Sequence, residues 1–185
     1  MRTLTRFFRD VLHVTTHGGT GYHVWMGVLS LSMLIGLYGY YVQTTEGLAA
    51  TGMNDHVSWG LYISNFTFLV GLAAAAVMLV MPAYVLKDVD FIKAVLIGEG
   101  VAVSALVMCL AFVTVDLGGP ARIWHMIPGV GYFNFPRSLL TWDVLVLNVY
   151  LLLNLLIPFY ILYTRYRGRV PDKSKYMPLM YLSVF

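Results

Sequence analysis

The chain has 185 residues, of which 59% are hydrophobic and only 11% charged, with a formal net charge of +3 and one cysteine. Its mean hydropathy of +0.74 excludes an ordinary soluble domain. The small positive balance sits beside the apolar segments and implies no nucleic-acid partner. Cys109, alone, can neither pair internally nor ligate an iron–sulfur cluster or a zinc site.

In chain order, residues 1–21 form a cytoplasmic or interfacial segment. Leu4, Phe7, Phe8, Val11 and Leu12 recur at helical spacing between Arg2, Arg6 and Arg9, which predicts a short helix lying at the membrane surface. His13 and His17 have the i, i+4 spacing of a metal pair, but the polar face of that same helix accounts for them. The following apolar run is long and lacks a small-residue exit, so it reads as an uncleaved span and not as a signal peptide.

Four segments are long enough to cross a hydrocarbon core of roughly 30 Å, which takes about 20 helical residues. They are Tyr22–Val42, Val57–Leu86, Ala94–Val115 and Val144–Thr164. Without a two-residue alternation they are helices and not barrel strands. The expected architecture is an all-α transmembrane helix bundle over 22–164, with loops 43–56 and 116–143 on one side. A basic loop over 165–175 and the start of a fifth span over 176–185 follow. An apolar run that stops after ten residues leads us to expect the N-terminal portion of a longer protein. Ten of the twelve Lys and Arg flank one side of these spans, with only Arg122 and Arg137 on the other. The positive-inside rule then puts the N-terminus in the cytoplasm and both loops outside.

The second segment carries Gly60, Ser64, Gly71 and Ala75, a small-residue pattern expected to let helices approach closely. A bend near Pro82 would absorb its excess length. Glu99, between Gly98 and Gly100, is a carboxylate inside a span and lies about 9 Å along the helix from Lys93. It reads either as a hydrogen-bonded packing residue or as a proton-relay station. Asn148 and Asn154 read as hydrogen-bond links between helices. Asn65 has a stronger claim to function because it lies near the outer end.

Helix order delivers His56, Trp59, Tyr62, Asp116 and Asp143 to one membrane face. Trp59, Tyr62 and Phe66 share a stripe, either an interfacial aromatic belt or the wall of a binding site. The 116–143 loop is unusually apolar, with Ile123, Trp124, Met126, Ile127, Tyr132, Phe133 and Phe135. Such a loop folds back on the membrane surface or receives another subunit. Asp116 and Arg122 are candidates to pair, and His56 and His125 to pass protons. All five histidines lie at span boundaries and not in helix interiors, so no haem is expected.

The stretch Trp59-Gly60-Leu61-Tyr62-Ile63-Ser64-Asn65-Phe66, followed by Gly71-Leu72-Ala73-Ala74, resembles the hallmark segment of the NrfD/PsrC family. Asp116-Leu117-Gly118-Gly119-Pro120-Ala121-Arg122-Ile123-Trp124-His125 is similar to that family's second signature, departing at Gly119, where Arg is common. Asn134–Ser138 and Trp142-Asp143 fit as well. Within the family the likeness is to the membrane subunit of a sulfite-reductase-associated complex. The resemblance implies a quinone-interacting subunit of a respiratory complex in the cytoplasmic (inner) membrane, not catalytic alone. It implies a menaquinone or other quinone, and no haem or iron–sulfur cluster held by the chain itself. An iron–sulfur subunit would dock at the outer face beside other redox subunits, cytochrome-containing ones among them. On the same resemblance, His56 and Tyr62 hydrogen-bond the quinone, Trp59 walls the pocket, Asp116, Arg122 and His125 shape or protonate it, and Glu99 begins a proton route. Two other readings stay open: a structural anchor for redox subunits, and a proton-translocating module centred on Glu99.

Overall fold

A computed structural model of the protein describes residues 2–57, 60–78, 89–127, 129–132 and 134–184. Every regular element among them is helical: α1 Arg2–Thr16, α2 Thr20–Glu46, α3 Leu61–Met78, α4 Val89–Asp116, α5 Leu139–Tyr166 and α6 Lys173–Val184. Short 3-10 helices occupy Leu48–Thr51 and Pro120–Met126. This is an all-α membrane protein. Three described helices have stretches long and apolar enough to cross a bilayer, Thr20–Glu46, Ile97–Asp116 and Leu139–Tyr166, while Leu61–Ala76 is a shorter apolar helix. The Pro82 bend and the end of the second expected span lie outside the described residues.

The chain forms two compact units, 1–51 and 52–185. In the first, α1 is the amphipathic helix expected from the spacing of Leu4, Phe8, Val11 and Leu12. Thr16 closes it by donating to the Leu12 carbonyl at 2.8 Å, and the Tyr22 hydroxyl donates to the Thr15 carbonyl across the short connection. Along α2 no residue of the spanning window is buried. An all-round apolar helix of this kind meets lipid or further protein on every side.

In the second unit, α4 is the central helix. One apolar cluster joins α3, α4 and α5 through Ala73, Ala105, Leu106, Cys109 and Leu147. The other joins α4, α5 and α6 through Val95, Ile157, Ile161, Tyr176 and Met180. Because Leu106 meets Leu147 in one cluster and Val95 meets Ile157 and Ile161 in the other, α4 and α5 run antiparallel. The close approach of α3 to α4 uses Ala73, only 1% exposed. The small residues singled out in the sequence are displaced from this seam: Ser64, Gly71 and Ala75 are exposed and Gly60 is half-buried. Small side chains are tolerated equally against lipid and against a helix, so their spacing did not identify the packed face.

The asparagines also differ from expectation. The side-chain amides of Asn148 and Asn154 donate to carbonyls one turn back in their own helix, at Val144 and Tyr150, at 2.7 and 2.9 Å. Their first hydrogen bonds serve the local backbone instead of linking helices.

Candidate functional site

The second motif builds a walled space where α4 ends. Asp116 is the last residue of α4. Gly118 then takes a positive φ of 64°, which an L side chain rarely adopts, and the chain leaves the helix axis. Pro120 opens the Pro120–Met126 3-10 helix, where its missing N–H leaves no donor unsatisfied. Arg122 N–H donates to the Gly119 carbonyl at 3.0 Å, tying the turn together.

Beneath this short helix lies an apolar groove of about 520 Å³. Leu110 and Val113 of α4, with Leu117 just beyond its end, form one wall, and Val144, Val149 and Leu152 of α5 form the other. Ile123 and Met126 lie over it. Its polar lining comes from Thr114 and Asn148. The Thr114 hydroxyl is spent on the Leu110 carbonyl at 2.7 Å. Asn148 donates one N–H to its own helix and retains a carbonyl oxygen and a second N–H. Asn148 is thus a candidate contact that the sequence reading treated only as packing. Its signal was a polar residue on the Val144–Asn148–Leu152 face of an apolar helix.

Leu117 and Met126 are shared with a second cavity of about 690 Å³, lined also by Gly118, Gly119, Arg122 and His125. The apolar groove therefore adjoins a polar mouth. The His125 ring stacks on Tyr132, with centroids 6.0 Å apart and planes 18° from parallel, and lies 3.8 Å from the Trp124 ring. Gly131 makes this fold possible, since a Cβ there would overlap the His125 carbonyl and Cα. Trp142 Nε1 donates to the Pro136 carbonyl at 3.0 Å, and its ring meets Phe135 at 4.6 Å. Tyr132 is 89% exposed, and Trp124, Ile127 and Phe135 are exposed beside it. The loop presents an apolar, aromatic rim around the mouth.

The first motif takes a different place. His56 lies on an exposed turn, its backbone N–H received at 2.9 Å by the Asn54 side chain, which also accepts from Val57 N–H. Tyr62 packs against Phe112 at 6.2 Å. Asp116 follows Phe112 by four residues and so shares its face of α4. Tyr62, Phe112 and Asp116 therefore belong to the α3 side of α4, whereas Arg122 and His125 border the second cavity beyond its end. Asn65 is half-buried, on the helix that carries Tyr62. None of His56, Tyr62 and Asn65 lines either cavity. Trp59 lies outside the described residues. Asp116 and Arg122 do not form an ion pair; among the described residues the ion pair present is Arg9–Asp10.

Glu99 is buried in α4, and its Oε2 has no hydrogen-bond partner among the described residues. Seventeen residues separate it from Asp116, roughly 25 Å of helix, so it is remote from the groove.

An integral membrane helical protein with a cavity at one end of its second unit is thus defined. The family model for polysulphide reductase, NrfD, matches residues 49–183, and the chain belongs to that family. It is 30% identical over 126 residues to a selenate reductase subunit of Mesobacillus selenatarsenatis, covering 68% of this chain and 29% of that one. It is 31% identical over 130 residues to a putative dimethyl sulfoxide reductase membrane subunit of Halobacterium salinarum, covering 70% and 29%. It is 28% identical over 134 residues to the integral membrane subunit of a menaquinone reductase of Nitratidesulfovibrio vulgaris, covering 70% and 30%. The match spans less than a third of each relative's length. No solved structure matches the chain.

Proposed function

We propose that the chain is the quinone-interacting part of a membrane subunit in a multi-subunit reductase complex of the cytoplasmic membrane. The observation that carries this reading is the apolar groove between α4 and α5 opening beside Arg122 and His125. A quinone has a flat ring, an apolar tail and two carbonyl acceptors. Such a ligand suits an apolar slot with a few donors, and the groove falls within the roughly 300–1,000 Å³ of ligand sites. The menaquinone named for one relative points the same way.

Bound quinone supplies two-electron, two-proton chemistry. Arg122 donates N–H bonds to a carbonyl oxygen at the mouth and favours negative charge there. His125 carries a proton to or from that oxygen, with Tyr132 fixing the plane of its ring. Asn148 offers its second N–H to the other end of the ring. Asp116, on the α3 side of the end of α4, serves as a more distant proton acceptor. His56, Trp59, Tyr62 and Asn65 act from the α3 side, where Tyr62 buttresses Phe112 and the last turn of α4. Glu99 feeds protons from the opposite end of the helix.

The aromatic rim receives an iron–sulfur subunit at the outer face, and cytochrome-containing subunits complete the complex. Two of the relatives are named for selenate and dimethyl sulfoxide reductases, which is consistent with terminal substrates set by the partners. The resemblance of the motifs to the membrane subunit of a sulfite-reductase-associated complex favours a place in sulfite reduction. The exposed rim also favours a simpler reading, an anchor that only tethers redox subunits. Quinol turnover by the assembled complex separates the two. With His125→Ala or Arg122→Gln, turnover should collapse while the subunits still co-purify; unchanged turnover leaves only the anchor.

A further inference from the structure

At the end of α5 remote from the groove, residues 165–175 hold five cations, Arg165, Arg167, Arg169, Lys173 and Lys175, against one carboxylate, Asp172. All five are exposed, and among the described residues none has a carboxylate at ion-pair distance. Asp172 is occupied locally, accepting Ser174 N–H at 3.1 Å on its side chain and Lys175 N–H at 3.2 Å on its carbonyl. The opposite end of the unit carries Arg122 and Arg137 against three carboxylates, Asp55, Asp116 and Asp143.

The cations are held in a fixed turn. Arg169 N–H donates to the Thr164 carbonyl at 3.1 Å, and Asp172 N–H donates to the Tyr160 hydroxyl at 3.3 Å. Tyr176 and Met180 then pack α6 back against Ile157 and Ile161 of α5. Arg167 lies over the Tyr163 ring, its guanidinium carbon 5.9 Å from the ring centroid. Helix stability does not explain the lysines, because Lys173 and Lys175 fall in the first turn of α6, where the helix field disfavours cations. Val170, between them and the arginines, is 91% exposed. Since α5 is a bilayer-length apolar helix ending at Tyr166, this turn sits at headgroup depth.

We infer that the α5–α6 turn is a binding site for an anionic phospholipid. The phosphate is taken by the cations of 165–175, and the acyl chains lie along the apolar surface of α5 near Val170. A lipid seated there neutralises the crowded charge and clamps α6 to α5.

The test uses the full-length protein in detergent, titrated with cardiolipin, phosphatidylglycerol or phosphatidylcholine. Retained lipid is counted by native mass spectrometry, and Tm is followed in parallel. The two anionic lipids should be retained and raise Tm, and phosphatidylcholine should do neither. Arg167→Gln, Arg169→Gln and Lys173→Gln together should weaken retention by roughly tenfold or more. Arg6→Gln with Arg9→Gln in α1 should leave it intact. Should the triple variant misfold, Lys173→Gln alone provides the same comparison at smaller amplitude. Equal loss from the α1 variant would mean unspecific charge and overturn the site. Equal stabilisation by inorganic phosphate alone would overturn the lipid assignment.

Discussion

The two motifs contribute similar chemistry, each bringing a histidine, aromatics and a further polar group to one end of the second unit, yet they build different things. The Asp116–His125 stretch leaves its helix at a glycine and turns through a proline-led 3-10 helix, and that departure from the helix axis opens the groove. In the His56–Asn65 stretch, His56 sits on a turn made by the Asn54 side chain, and Tyr62 lies in α3, where it packs on Phe112. Backbone irregularity, more than polar content, distinguishes the part that makes space from the part that fills it. Irregular backbone in a membrane protein is tolerated where it borders a cavity.

This contrast can be broken experimentally. His125→Ala should give the largest effect, lowering quinol turnover by about 10²-fold or more, as expected for a lost proton carrier. A smaller loss than that of His56→Ala would reverse the assignment of the two motifs. Gly131→Ala should come next, because the new methyl displaces the Tyr132 segment from His125. Turnover should then fall by about tenfold with assembly preserved, a displacement effect of the kind expected for misplaced catalytic groups. Asn148→Leu should raise KM for quinone by roughly fivefold to tenfold through one lost hydrogen bond, with kcat nearly constant. Tyr62→Phe should be the mildest, within about threefold in turnover, because it keeps the ring that meets Phe112 and loses at most one hydroxyl interaction. A stability control stands apart from the motifs. Ala73→Leu overfills the contact with Ala105 and Cys109 and should destabilise the α3–α4 pair by about 1–3 kcal/mol, read as a fall in Tm.

Helix identity was legible because segment length and composition alone decide it in a bilayer. The spacing of Leu4, Phe8 and Leu12 marked α1, and the apolar runs marked α2, α4 and α5. Which face packs was not legible. In α3 both Gly71 and Ala73 are small, and with apolar residues on all sides no periodic contrast singles out Ala73 as the buried one. The residues Arg122 and His125 were identifiable from their motif, but the groove beside them depends on how Pro120–Met126 turns back at the end of α4. Asn148 was overlooked because a single polar residue in a span has an ordinary local explanation, which its bond to Val144 indeed provides. The expected Asp116–Arg122 pair fails because a helix end, a positive-φ glycine and a 3-10 turn intervene between the two.

The separation of Glu99 from the end of α4 has an electrical consequence. Roughly 25 Å of helix lies between Glu99 and Asp116, most of a hydrocarbon layer of about 30 Å. A proton moving from one to the other would cross most of the transmembrane potential, a step worth up to about 2.3 kcal/mol per charge at 100 mV. Proton traffic between them would therefore be electrogenic. Turnover that depends on it should respond to membrane voltage, whereas turnover confined to the groove and its polar mouth should not.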